Sequence, residues 1–189
     1  VTSGAENVLI GAHAGDALQE TNGNVAIGRM ALSTSTSVAS CVAIGTQAML
    51  AGNMTSGANF TIAIGRDALS NLTSGGSNIA IGYRAGLGMT TGQENTALGY
   101  QALYTATEVD RNVAIGTNAL YSYSGSAGTG KNTAVGYEAG HDLAGGVTGE
   151  NVFVGNFAGR QATTGFQNTF LGNQAGYGNT IGHYNVAIG

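Results

Sequence analysis

One pentapeptide recurs along the whole chain and restricts the fold more than any other feature of the sequence. NVAIG occupies residues 24–28, 112–116 and 185–189, and its variants include NIAIG from Asn78 and NVFVG from Asn151. The glycines that end the copies are eleven anchors: Gly11, Gly28, Gly45, Gly65, Gly82, Gly99, Gly116, Gly136, Gly155, Gly172 and Gly189. Most anchors are 17 residues apart, and three intervals are longer by two or three residues. A fixed period of this kind indicates a repeat architecture in which each unit stacks on its neighbours.

The residues before each anchor alternate in the manner of a short strand. The residue three before the anchor is Val, Ile or Thr, and the residue one before it is Ile, Leu or Val. β-Branched residues at alternate positions favour extended backbone. The sequence therefore predicts an all-β fold, a parallel β-solenoid (β-roll) of about eleven 17-residue coils. We treat 1–189 as a single repeat domain and expect it to be a fragment of a longer fibre protein, since no capping segment follows Gly189.

The strand segment is apolar on both faces, because the residue between the two β-branched positions is also apolar in every unit. Strands of this kind are normally covered on both sides. We predict that the Val and Ile columns fill the coil and that the middle residues pack against neighbouring chains. The predicted inter-chain positions are Ala26, Ala43, Ala63, Ala80, Ala97, Ala114, Ala134, Phe153, Phe170 and Ala187.

A column of asparagines lies four residues before the anchors. Its nine members are Asn7, Asn24, Asn78, Asn95, Asn112, Asn132, Asn151, Asn168 and Asn185, and Cys41 and Thr61 replace Asn in the other two units. Side-chain amides stacked about 4.8 Å apart on successive coils can bond to one another. The column is predicted to be an inward structural ladder, and Cys41, the single cysteine, is predicted to lie inside with it.

Composition restricts the partners of the chain. Charged residues make up 8% of it, the net charge is -4, and no run of Lys or Arg is present, so nucleic acid is not an expected partner. No apolar run approaches the roughly 18 residues needed to cross a bilayer, and membrane insertion is not expected. One cysteine cannot form an intrachain disulfide.

The sequence offers no candidate for catalysis, for a metal or for a cofactor. His13, His141 and His183 fall in different columns of the repeat, so stacking does not bring them together. Carboxylate pairs such as Glu138 and Asp142 are interpreted as solvated surface groups. The glycine-rich segment at 124–131 has the wrong spacing for a phosphate loop. We therefore predict that the chain is not an enzyme.

Tyrosines form the most distinctive surface feature. Tyr83, Tyr100 and Tyr137 share the column just after the anchor, and Tyr104 and Tyr121 share a second column four positions later. Rings in register can stack on one another, which is the favoured interpretation. Contact of Tyr83, Tyr100 and Tyr137 with a glycan is the alternative.

Units such as NVAIGTNAL from Asn112 and NTALGYQAL from Asn95 resemble the head repeats of trimeric autotransporter adhesins. They resemble even more the repeats in tail-fibre proteins of tailed bacteriophages, because adhesin heads generally use a shorter unit with Ser rather than Ala after the glycine. In adhesin heads, three chains wind around one axis as a parallel β-roll. The resemblance covers essentially the whole chain and implies a parallel homotrimer.

The resemblance implies a structural shaft or head segment of a trimeric fibre that presents a receptor-binding or adhesive tip for host or surface attachment. It implies an extracellular location, on a virion tail fibre or a cell surface, and a cell-surface glycan or protein receptor as partner. One alternative is a bacterial trimeric adhesin head that binds a glycan or matrix ligand directly, and a lower one is a β-helical polysaccharide-degrading enzyme. An ice-binding face ranks low, because the best Thr column holds only Thr96, Thr133 and Thr169.

Overall fold

The fold is a parallel β-solenoid built from eleven short strands, as the sequence predicts. The computed structural model describes residues 4–51, 54–125, 129–144 and 149–189. The strands are β1 Val8–Ile10, β2 Val25–Ile27, β3 Val42–Ile44, β4 Ile62–Ile64, β5 Ile79–Ile81, β6 Thr96–Leu98, β7 Val113–Ile115, β8 Thr133–Val135, β9 Val152–Val154, β10 Thr169–Leu171 and β11 Val186–Ile188. They form one sheet in chain order. Within these ranges the only helical segment is a 3₁₀ turn at Ser56–Ala58.

Neighbouring strands pair residue for residue, so each sequence column becomes a column in space. Val25 lies opposite Val42, and Ala26 lies opposite Ala43. The longer intervals leave this register unchanged, because Val113 pairs with Thr133 across the 20-residue interval. Inserted residues are therefore accommodated away from the sheet.

The orientation of the sheet is opposite to the predicted one. From β2 to β10 every middle residue is 0–1% exposed within a single chain, whereas the flanking Val, Ile, Leu and Thr residues are half-buried or exposed. The prediction that the Val and Ile columns fill the coil is wrong. The assignment of the middle residues to an inter-chain surface is also wrong, because they line the interior of their own chain. These residues are Ala26, Ala43, Ala63, Ala80, Ala97, Ala114, Ala134, Phe153, Phe170 and Ala187. Ala187, in the end coil, is partly buried against the same core. A coil of 17 residues encloses a narrow interior. A small inward side chain on the strand leaves room there for the side chains of the opposite wall of the coil.

The opposite wall supplies the larger core residues, which the sequence analysis did not identify. An alanine column three residues after the anchors is buried, and the next residue is often a buried Leu or Met: Leu32, Met49, Leu69, Leu103 and Leu120. A further column adds Leu18, Leu72, Met89, Ala106, Tyr123, Leu143 and Ala162. Tyr123 is buried although it lies in one of the longer intervals, between Gly116 and Gly136, of which residues 126–128 lie outside the described ranges.

Left-handed backbone turns the chain at the corners of each coil. Among the described residues, twenty-six that are not glycine have φ between 49° and 61°, and nearly all occupy three columns: five before, two after and four after the anchor. The anchors themselves have φ of 123–140°, which L residues rarely adopt. A Cβ added at Gly28 would lie 2.7 Å from the carbonyl carbon of Gly45. Both constraints explain why glycine occupies every anchor position.

Candidate functional site

The outer face of the sheet is an apolar strip that runs the length of the solenoid. Its two columns, three residues and one residue before the anchors, hold 22 side chains, of which 19 are Val, Ile or Leu and three are Thr. In one chain Leu98 is 41% exposed, and Ile10, Ile79, Val152 and Leu171 are similarly open. Large contiguous apolar patches on a protein surface mark interaction sites.

The asparagine column forms the predicted ladder inside the solenoid. The Oδ1 atom of Asn95 accepts hydrogen bonds from the backbone N–H (2.9 Å) and the side-chain Nδ2 (3.0 Å) of Asn112. Asn112 Oδ1 accepts the same two bonds from Asn132, at 3.1 and 3.0 Å. The pattern runs from Asn78 to Asn185 and occurs again between Asn7 and Asn24. The ladder is structural, because its amides are engaged within the chain.

Cys41 and Thr61 interrupt the ladder and are both fully buried. The backbone N–H of Cys41 donates to Asn24 Oδ1 at 3.1 Å, so the coil stacking continues through the substitution. Burial raises the pKa of the Cys41 thiol. The prediction that Cys41 lies inside is confirmed.

Two of the predicted tyrosines in the column after the anchor lie beside two arginines. The Tyr83 and Tyr100 rings stack at 5.3 Å between centroids, and the Arg84 guanidinium lies 4.9 Å from the Tyr83 centroid. Arg66 approaches the same ring at 6.0 Å. The Nε atoms of Arg66 and Arg84 lie 3.5 and 3.4 Å from Asp67 Oδ2. We call these five residues the Tyr83 cluster; the sequence analysis identified its tyrosines but missed Arg66, Asp67 and Arg84.

The second tyrosine column continues into a histidine. Tyr104 stacks on Tyr121 at 4.9 Å, and Tyr121 stacks on His141 at 5.0 Å with an interplanar angle of 4°. His141 Nδ1 lies 2.6 Å from Asp142 Oδ1. These rings cover one another, so the stacking interpretation describes this column.

Tyr137 belongs to a separate network around Arg160. Arg160 donates to Glu138 at 2.5 Å and lies 3.8 Å from Asp142, so both predicted surface carboxylates are ion-paired; the Asp142 side chain is 37% exposed, whereas that of Glu138 is 12% exposed and largely covered. Burial raises the pKa of Glu138, but hydrogen bonds from Arg160 and Tyr137 outweigh burial, and the pKa lies below its usual value. Tyr137 packs edge-on against Phe157 at 5.2 Å. The network links coils rather than opening a cleft.

His13 and His183 lie far apart along the solenoid. His13 pairs with Asp16 at 3.1 Å at the edge of an open groove of about 670 Å³, which Arg29, Met30 and Ser33 also line. His183 stacks on Phe166 at 4.0 Å. Among the residues that the structure describes, no three His, Cys, Asp or Glu side chains are grouped so that they could hold a metal ion.

Comparison with models of protein families, with curated proteins and with solved structures finds no match to the chain. No helix long and apolar enough to cross a membrane occurs in the described ranges. The repeat, the apolar strip and the surface clusters are the features of this chain that bear on its function.

Proposed function

We propose that the chain is a structural shaft or head segment of a trimeric fibre, in which the apolar strip of each chain packs against two further copies. The fibre presents a receptor-binding or adhesive tip for attachment to a host or surface, outside the cell or on a virion. The chain itself is a spacer of defined length. Its partners are two copies of itself and, through the tip, a glycan or protein receptor.

The apolar strip carries this proposal. A lone solenoid with a solvated sheet would place polar residues in its outward columns, yet 19 of these 22 positions are Val, Ile or Leu. A partner that covers the whole strip must be straight, apolar and of the same length, and a second copy of the chain has all three properties. Three copies rather than two follow from the resemblance to adhesin heads, in which three chains wind around one axis.

The dimensions of the solenoid suit a spacer. Eleven strands spaced about 4.8 Å apart give a sheet of roughly 50 Å. Parallel chains around one axis hold three tips at the same end, and linked tips bind with higher avidity than one alone. The stacked coils, the asparagine ladder and the buried interior stabilise each chain as a spacer.

Light scattering at micromolar concentration tests the assembly. We expect a mass three times the 18.8 kDa of one chain. Leu98→Asp introduces a carboxylate into the strip and should yield smaller or aggregated species, because unpaired buried charge is costly. Ile181→Asp is the matched control, since Ile181 is 68% exposed and lies outside the strip. A monomeric parent, or a Leu98→Asp variant that stays trimeric, contradicts the proposal.

The second candidate is an adhesin head that binds a glycan directly, which the Tyr83 cluster favours because it combines exposed aromatic and cationic groups.

A further inference from the structure

The Tyr83 cluster contains two guanidinium groups held by one buried carboxylate. Asp67 is 8% exposed, and its Oδ2 atom lies within 3.5 Å of the Nε atoms of both Arg66 and Arg84. The recorded contacts run through the Nε atoms, and each guanidinium also carries two terminal nitrogens. A guanidinium presents several donors in a fixed fork that matches carboxylate and sulfate oxygens. Asp67 therefore positions two such forks at one place on the surface.

Backbone and ring contacts fix the same groups. The Arg84 N–H donates to the Arg66 carbonyl at 3.0 Å, and the Asp67 N–H donates to the Thr46 carbonyl at 3.0 Å, so three successive coils are in register here. The Arg84 guanidinium lies over the Tyr83 ring, and the Tyr100 ring stacks on the same ring. Arg84, whose Nε donates to Asp67 and whose side chain is 35% exposed, is the more restrained of the two arginines, because the Arg66 side chain is 61% exposed. A side chain that is already restrained loses less entropy when a ligand binds.

The charge of this surface differs from that of the chain as a whole. Arg66 and Arg84 outweigh Asp67 by one positive charge, whereas the chain carries -4. Across the six units from Gly28 to Gly116, Asp67 is the only acidic residue in the two columns that follow the anchors, and Arg29 adds a further cation. Tyr100 is 48% exposed, and the next member of its column is the small Thr117. This surface fits a ligand that carries an anionic group next to a ring with an apolar face.

We propose that the Tyr83 cluster is a subsite for an acidic saccharide, bound on the side of the solenoid and not at the fibre tip. The carboxylate or sulfate group of the sugar accepts hydrogen bonds from the guanidinium groups of Arg66 and Arg84. The adjoining sugar ring lies against the exposed Tyr100. Tyr137, in the Arg160 network, takes no part. The subsite lies within one chain, so it does not depend on the trimer.

Calorimetric titration with three tetrasaccharides tests the subsite: an oligogalacturonate, its methyl ester, and a sulfated oligosaccharide of neutral sugars. We expect the oligogalacturonate or the sulfated sugar to bind and the neutral ester to bind about tenfold or more weakly, as loss of a charged hydrogen bond implies. Which acidic probe binds more tightly distinguishes carboxylate from sulfate recognition.

Arginine variants separate a specific subsite from general attraction. Arg66→Gln and Arg84→Gln should each weaken binding of the acidic probe by about tenfold. Arg111→Gln is the matched control, because it removes the same charge from an exposed arginine paired with Glu94 at 2.9 Å in another column. Equal binding of the neutral ester, equal loss in Arg111→Gln, or no binding of either acidic probe at millimolar concentration overturns the proposal. The mass of each sample, measured in parallel, reports on the trimer independently.

Discussion

At the scale of single residues, the asparagine ladder explains how a polar side chain occupies the interior in most coils. From Asn95 to Asn168, each ladder oxygen accepts two hydrogen bonds from the next coil, and each Nδ2 group donates to the coil before it. Asn112 also donates to the Asp110 carbonyl at 3.0 Å. Buried polar groups that are paired in this way stabilise a fold, and each one left unpaired is costly.

Asn112→Ala should lower the free energy of unfolding by about 3 kcal/mol, because it leaves the Asn132 donors without an acceptor. Denaturant unfolding of the assembled protein measures the loss. Asn156→Ala is the control, since the Asn156 side chain is exposed and donates to Asn173 at 3.3 Å, and its effect should stay within about 0.5 kcal/mol. A loss of similar size in both variants would show that the ladder contributes nothing special.

The ladder could be predicted from the sequence because one residue type recurs at one register. The left-handed corners could not, because their side chains have nothing in common: Glu94, Arg111 and Phe60 all adopt φ near 58° in the same column. There the stacking of backbone on backbone fixes the conformation, and the identity of the side chain carries no signal.

At the scale of the coil, the two walls of the interior match in size. Where the middle residue of the strand is large, as in Leu9, Phe153 and Phe170, the residue four after the anchor is glycine: Gly15, Gly159 and Gly176. Where the middle residue is Ala, that position is Leu or Met in five of seven coils. A Cβ added at Gly159 would lie 2.6 Å from Phe153 Cδ1. The walls therefore fill one shared space.

This pairing is the signal that would have oriented the strand correctly. Both faces of the strand are apolar, so alternation alone cannot tell the inner face from the outer one. The size of the middle strand residue changes together with the size of the residue four after the anchor, so these two side chains must face each other across the interior. The sizes of the Val and Ile columns change with no such counterpart. The core side of the sheet could thus be derived from the sequence, but only by comparing two columns.

Exchanging the two sizes within one coil tests the match. Phe153→Ala should cost about 3–5 kcal/mol through the cavity it leaves, and Gly159→Leu alone should cost at least about 1–3 kcal/mol through overpacking. The double variant should be more stable than the sum of the single effects predicts, because Leu at this position fills coils with an Ala strand, as Leu103 does in the coil of Ala97. If the changes in the free energy of unfolding of the two single variants simply add in the double variant, the two side chains do not share one space. Chemical unfolding measures these changes.

At the scale of the whole molecule, one side of the solenoid is apolar and the adjoining side carries aromatic and charged clusters. The period, the parallel strands and the tyrosine stacking could be predicted, because each depends on register. The Tyr83 cluster as a whole could not, since Arg66 and Arg84 stand in different columns and meet only through Asp67. The proposed assembly also leaves the cluster outside the strip.

Crosslinking across the strip tests most directly whether it is the surface where chains meet. In a Cys41→Ala background, Leu98→Cys places thiols on the strip, and rotation about a common axis brings equivalent positions of different chains together. We expect oxidation to link chains in pairs through residue 98. Ile181→Cys, outside the strip, should stay unlinked and react freely with a thiol reagent. Unlinked chains with a freely reactive thiol at position 98 would contradict the account.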